Sequence, residues 1–222
     1  MEQLGRRDVE PRQGHSLKRE FDILIHTGEQ TAMKSVRILA ITSLACAVSM
    51  GTAMAQGKKG PSGPGMTLTS PDFQDGAEIP NKYTQADQSP VSPKLEWTNV
   101  PMGTMSFALI LHDPDVALQK KTDDVLHWMI FNIPVTAKEL PGGMPANANM
   151  PDGAIQAKNL RGGVGYMGPG APAPGPHHHY TFELFALDDK LSLGADATRQ
   201  QVLDAMQGHI LAKAVLVGRF HR

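Results

Sequence analysis

Short apolar segments broken at regular intervals by turn-forming residues are the feature that most constrains how this chain can fold. From residue 66 onward, proline, glycine, asparagine and aspartate interrupt the apolar runs, as at 70–72, 79–81, 99–101 and 133–134. Such spacing is typical of short strands joined by turns in an all-β sandwich or barrel. We therefore expect a mostly β body rather than a helical or α/β one.

Alternation of side chains identifies the strands, because residues two apart on a strand share a face. Segment 106–113 is apolar on both faces and is predicted to be a central strand. Segments 127–133 and 180–187 each place alternate residues on one apolar face and are predicted to be strands as well. The remaining predicted elements are a helix at 198–208, a last strand at 210–220, and loops at 117–125 and 147–159.

Each of these three strands carries one ionisable residue at the end of an apolar face: Asp113, His127 and His178. If the strands are neighbours and the faces coincide, the three groups converge on one pocket. Alternation places His127 on the face that carries Met129 and Phe131. The opposite faces receive the other nearby histidines, which are His112, His177 and His179.

Three consecutive histidines, 177–179, follow a stiff Gly/Pro segment and suggest a metal site. Neighbouring residues on a strand point to opposite faces, so they cannot all bind one ion. We therefore assign no metal and no cofactor, and an ion held by His178 with Asp113 and His127 is the alternative.

Charge and cysteine content narrow the functional classes. The chain has 21 Lys and Arg against 22 Asp and Glu, so it lacks the basic excess that nucleic-acid binding requires. The chain has one cysteine, Cys46, so it cannot form a framework of disulfide bonds within itself.

The N-terminal region has the layout of an export signal. Within 33–55, a basic opening, an apolar run and a small-residue cleavage site follow one another, as in a secretory signal peptide. We expect 1–32 to be a mis-assigned extension, 56–65 to be a flexible linker and 66–222 to be one domain. The mature protein would be periplasmic or secreted, with no stable membrane span after cleavage.

Several ordered motifs resemble one known family. Asp113-Pro114-Asp115, His127-Trp128, Gly168-Pro169 and His178-x-Tyr180 follow one another along the chain. This set, with its flanks, is similar to the phosphatidylethanolamine-binding protein family, in its bacterial branch of Raf kinase inhibitor-like proteins. The resemblance runs from about residue 66 to 222.

The resemblance implies a two-sheet antiparallel β-sandwich with a Greek-key connection and a few peripheral helices. It also implies a small pocket for phosphate-like head groups. The ligand-binding residues carried over by motif are Asp113, Asp115, His127, Gly168, Pro169, His178 and Tyr180. The chain departs from the family pattern at His179, where the family has an arginine, and at Ala117, where it has a proline.

Three functions are compatible with these residues. The first is an exported binding protein for a small anionic or phosphorylated ligand, such as a lipid head group or a modified side chain on a protein partner. The second is a protein-interaction module, or an inhibitor of a protease or kinase, acting through loops 117–125 and 144–159. The third is a cryptic hydrolase, but no Gly-x-Ser-x-Gly elbow is present and no catalytic residue is assigned.

Overall fold

The computed structural model describes residues 65–222, which form two antiparallel sheets. The predicted extension (1–32), the signal peptide (33–55) and all but the last residue of the linker (56–65) lie outside the described residues. Within the described part of the chain, no helix has the length and apolar character needed to cross a membrane.

The strands divide into a small and a large sheet, and the predicted two-sheet antiparallel β fold is confirmed. The small sheet has the order β1 (Thr67–Thr69), β2 (Leu95–Thr98), β5 (Glu139–Leu140). The large sheet has the order β6 (Ile155–Gln156), β4 (Val125–Pro134), β3 (Ser106–Asp113), β7 (His178–Leu187), β8 (Ile210–Phe220). The Greek-key connection stays a prediction.

One α-helix, α1 (Arg199–Met206), occurs in the described part of the chain, with 3-10 turns at Asn81–Tyr83 and Leu118–Lys120. Thr198 caps the helix in a capping box with Gln201, so the helix begins at the predicted start of the segment 198–208 and ends two residues before its predicted end. The predicted loop 147–159 contains the short strand β6, which the sequence pattern did not reveal.

The central strand β3 is buried on both faces, as its sequence predicts. Phe107 and Leu109 pack with Trp97 of the small sheet in one cluster. On the other face, Ile110 packs with Val202 of the helix in a second cluster. Strands β4 and β7 pair with the two edges of β3. The register of β3 is therefore fixed, and so is the position of its last residue, Asp113.

Strand β4 contains an extra residue at its pocket end. Leu111 pairs with Trp128 but His112 pairs with Leu126, so His127 has no partner on β3 and forms a β-bulge. Met129 and Phe131 pack in the helix-side cluster. The prediction that His127 shares their face is therefore wrong, because the bulge interrupts the alternation on which it relied.

Gly218 of β8 permits a close contact with the segment before the first 3-10 turn. Ile79 donates its amide to the Arg219 carbonyl at 2.9 Å, and Arg219 donates to the Ala77 carbonyl at 2.8 Å. A Cβ at Gly218 would lie 2.3 Å from the Ile79 side chain, which is 1% exposed. The absence of a side chain at this position lets Ile79 fill the core.

Replacing Gly218 with alanine is expected to destabilise the fold by about 1–3 kcal/mol, because a buried side chain must move to admit the methyl group. Urea unfolding would measure the change. The matched control is Gly163→Ala, where the nearest atom to a new Cβ is 3.6 Å away. Equal stability of the two variants would contradict this packing.

An ion network on the helix side of the large sheet joins four elements. His112 Nδ1 lies 2.6 Å from Asp124, which also pairs with Arg199 of the helix. His112 Nε2 lies 3.5 Å from Glu183, which also pairs with Lys213 of β8. The contact with His112, reinforced by Lys213, lowers the pKa of Glu183 to about 2.

The lowered pKa of Glu183 predicts how the free energy of unfolding depends on pH. Because the folded pKa of Glu183 lies below its unfolded value, the network stabilises the fold above about pH 4.5 and loses its contribution as the pH falls towards 2. In Glu183→Gln, the free energy of unfolding should fall less steeply over this interval. Urea titrations at several pH values would test this, and parallel curves for both proteins would contradict it.

Candidate functional site

A pocket of about 150 Å³ lies where β3 ends and β4 and β7 begin. Since β4 and β7 both run antiparallel to β3, their first residues lie beside its last residue at the same end of the strands. The lining residues are Gln85, Asp113, Val116, Val125, His127, Leu160, Arg161, Met167, Gly170, Ala171, Pro172, His178 and Tyr180. Four of the predicted site residues are therefore brought together here.

Asp113 is buried and pairs with the partly exposed His178 in the lining of the pocket. Asp113 is 3% exposed, and its Oδ2 lies 2.8 Å from Nδ1 of His178. Its Oδ1 accepts the amide of Asp115 at 3.0 Å, so both carboxylate oxygens are engaged. Because a carboxylate can only accept, Nδ1 of His178 carries a proton, and the other ring nitrogen is the one left to meet a ligand.

His127 reaches the pocket from its bulge and is held by the loop after β6. Its Nδ1 lies 2.8 Å from the Met167 carbonyl, so this nitrogen carries the proton. Burial lowers the pKa of His127, because its effect outweighs the contacts with Met167 and Asp113, which by themselves would raise that pKa. The ring is therefore neutral at pH 7 and presents an acceptor at Nε2, which becomes a donor on protonation.

Tyr180 fixes the Gly/Pro loop that covers one side of the pocket. Its hydroxyl oxygen accepts the amides of Gly170 at 3.1 Å and Ala171 at 2.9 Å. Its ring packs edge-on against His127, with 5.1 Å between ring centroids. Burial and the nearby Asp113 charge raise the pKa of Tyr180 to about 12, so the phenol stays protonated.

Arg161 and Gln85 line the pocket but were missed by the sequence reasoning. Nη2 of Arg161 donates to Oε1 of Gln85 at 2.8 Å, and Nε2 of Gln85 donates to the Gly168 carbonyl at 2.8 Å. Both residues lie in loops, where side-chain alternation carries no information. No signal in the single sequence would have found them.

Three predicted site residues lie outside the pocket lining. The Asp115 carboxylate accepts the amide of His179 at 2.6 Å and faces its ring at 2.9 Å. Partial burial alone would raise the pKa of Asp115, but the two contacts with His179 outweigh it and lower that pKa. Gly168 and Pro169 accept hydrogen bonds from Gln85 through their carbonyls. Direct contact of these three residues with a ligand stays a prediction.

The three consecutive histidines have three different surroundings. His178 faces Asp113, His179 pairs with Asp115, and His177 packs against His221 with ring centroids 4.0 Å apart and the rings tilted by 55°. Among residues 65–222, no group of three or more His, Cys, Asp or Glu side chains is arranged to hold a metal ion.

The lining residues differ in the polar groups that they present to the pocket. The described lining contains no serine, threonine or cysteine, and the Asp113 carboxylate is already engaged on both oxygens. Arg161 brings a permanent positive charge, and the two imidazoles bring donors that depend on protonation. The site therefore combines one permanent positive charge with two titratable rings.

The fold and site define a two-sheet β protein with a small titratable pocket at one end of its central strands. Residues 69–221 match the family model described as phosphatidylethanolamine-binding protein. The chain belongs to the phosphatidylethanolamine-binding protein family, which confirms the resemblance read from its motifs.

Individual relatives agree with this assignment. A UPF0098 protein of Methanothermobacter thermautotrophicus is 41% identical over 157 residues, spanning 71% of this chain and 99% of the relative. A crystal structure of a phosphatidylethanolamine-binding protein homologue from Chlamydia trachomatis superposes with a TM-score of 0.63 at 34% identity, covering 72% of this chain and 99% of that one. Escherichia coli YbcL, described as a member of the mammalian PEBP family, superposes with a TM-score of 0.61 at 28% identity, covering 72% of this chain and 99% of that one.

The role of the Tyr180 hydroxyl can be tested by Tyr180→Phe. Loss of the shared acceptor leaves the amides of Gly170 and Ala171 without a partner, so we expect a destabilisation of about 1–3 kcal/mol. Hydrogen exchange of those two amides should accelerate. Tyr166→Phe is the control, since that hydroxyl donates instead to the Tyr83 carbonyl at 2.7 Å. Unchanged exchange in Tyr180→Phe would contradict the assignment.

Proposed function

We propose that the protein is an exported binding protein for a small anionic ligand that carries a phosphate or carboxylate group. The observation that carries the proposal is the meeting of Arg161, His127 and His178 in one small pocket. Guanidinium and protonated imidazole groups donate charge-assisted hydrogen bonds to such anions.

The balance of charge around the pocket favours an anion over a cation. Asp113 is the one carboxylate in the described lining, and His178 already faces it at 2.8 Å. Arg161 is exposed and is bonded in the described structure to a neutral amide oxygen. Both oxygens of the Asp113 carboxylate thus already have hydrogen-bond partners, whereas the Arg161 guanidinium has no carboxylate partner at the pocket.

The pocket volume limits how much of a ligand can be enclosed. Sites for drug-sized molecules have volumes of about 300–1,000 Å³, against about 150 Å³ here. Only a head group fits inside, and the rest of a lipid, peptide or metabolite would remain outside. This size supports recognition of a terminal phosphate or carboxylate, in line with the phosphorylated head group in the family's name.

Export rests on segment 33–55, which has the layout of a signal peptide. The native protein would then appear in the periplasmic or secreted fraction with an N-terminus close to Gln56. N-terminal sequencing of the mature protein tests this. Recovery of a peptide containing Phe21 from the native protein would overturn both the signal peptide and the interpretation of 1–32 as a mis-assigned extension.

Ligand binding can be tested by titrating the protein with inorganic phosphate and recording the histidine ring signals by NMR. We expect His127 and His178 to shift together and to saturate. His209 is the internal control, since it pairs with Asp188 at the far end of β7. Shifts confined to histidines outside the pocket, such as His209, would overturn the pocket proposal.

Binding should also strengthen in acid. The pKa of His127 lies below its usual value, so the ring gains its second donor only as the pH falls below about 6.5. Sulfate, whose charge is constant over this range, should therefore bind more tightly from about pH 7 to pH 5. In His127→Gln the dependence should weaken, while in His209→Gln it should persist. An identical profile in all three proteins would contradict the role of His127.

A further inference from the structure

Two guanidinium groups converge on one neutral oxygen beside the pocket. Nη2 of Arg161 lies 2.8 Å from Oε1 of Gln85, and Nη2 of Arg222 lies 3.2 Å from the same atom. No carboxylate of residues 65–222 forms an ion pair with either arginine. Two like charges therefore share an acceptor that offsets neither of them.

The amide that holds the arginines has a fixed orientation. Gln85 donates its backbone amide to the Pro169 carbonyl at 2.7 Å and its Nε2 to the Gly168 carbonyl at 2.8 Å. These two contacts turn Oε1 towards the arginines. Gly170 leaves room for this arrangement, since a Cβ there would lie 2.4 Å from Gln85 Cδ.

The arginine pair is placed at the edge of the pocket described above. Gln85 and Arg161 line both that pocket and a neighbouring depression of about 370 Å³. Arg222 is tied to the pocket wall because its amide donates to the Ala171 carbonyl at 3.3 Å. A ligand whose phosphate enters the pocket would therefore bring its next few atoms past these two side chains.

An anion suits this place better than the amide does. Guanidinium groups bind carboxylate and phosphate oxygens through paired N–H donors, and both charges would then be offset at once. A ligand ammonium at the same position would meet two positive charges. The geometry thus separates ligands by the charge of the group that follows the phosphate.

We propose that Arg161 and Arg222 form a second anion subsite at the pocket edge, selecting ligands in which a carboxylate lies a few bonds from a phosphate. This inference rests on the proposed function, since it takes the phosphate to occupy the pocket. The same chemistry occurs in a phosphomonoester such as O-phosphoserine and in the serine head group of a phospholipid.

The test compares ligands that differ by this one carboxylate. Isothermal titration of the full chain would use O-phosphoserine against O-phosphorylethanolamine, and glycerophosphoserine against glycerophosphoethanolamine. We expect the serine member to bind about tenfold or more tightly in at least one pair, as a charge-assisted contact provides. The ligand pair with the larger ratio of affinities shows whether the protein recognises the free phosphomonoester or the lipid head group.

Variants then assign the preference to the arginines. Arg222→Gln should bring the ratio close to one while leaving inorganic phosphate affinity within about twofold, because Arg222 is not in the pocket lining. Arg161→Gln should lose the ratio and weaken phosphate binding as well. The control Lys190→Gln removes one positive charge just beyond the far end of β7 and should keep the wild-type ratio.

The outcomes separate the two proposals. If inorganic phosphate binds but neither serine ligand is preferred, or the preference survives in Arg222→Gln, the second subsite is overturned and the pocket proposal stands. If inorganic phosphate itself leaves His127 and His178 unaffected, the pocket proposal fails and the subsite fails with it.

Discussion

The burial of β3 on both faces and both edges is the constraint on which the rest of the molecule depends. Its side chains fill one cluster with the small sheet and another with the helix, while β4 and β7 occupy its hydrogen-bonding edges. A strand held in this way cannot slip in register without exposing an entire face. The carboxylate of Asp113, at its last position, is therefore placed as firmly as the core itself.

The pocket is assembled around that fixed carboxylate by three separate devices. Strand pairing brings His178 to Asp113, a bulge turns His127 towards the same space, and the Tyr180 hydroxyl holds the loop at Gly170 by its amide. The first two devices each engage Nδ1 of a histidine and leave its Nε2 for a ligand. The site is thus organised before anything binds, which reduces the entropic cost of recognition.

The two sides of the large sheet use charge differently. On the helix side, His112 lies between the carboxylates of Asp124 and Glu183, and Arg199 pairs with Asp124, so that ion pairs join β3, β7 and the helix. At the pocket, Asp113 is satisfied by His178, and the positive charge of Arg161 is met by a neutral amide. The first arrangement stabilises the fold, whereas the second leaves a guanidinium without a carboxylate partner, which an anionic ligand could supply.

The sequence by itself determined the four long strands β3, β4, β7 and β8, the helix and part of the site. Local alternation was sufficient for the exact bounds of β3 and β8 and for the common face of His178 and Tyr180, because period-two patterning is a property of each strand alone. The same alternation selected His127 as a site residue but placed it on the wrong face of β4. The bulge at His127 depends on pairing with another strand, which the pattern of one strand does not reveal. Only the tertiary structure decided that Arg161 and Gln85 belong to the pocket, because loop residues meet through contacts between segments distant in sequence.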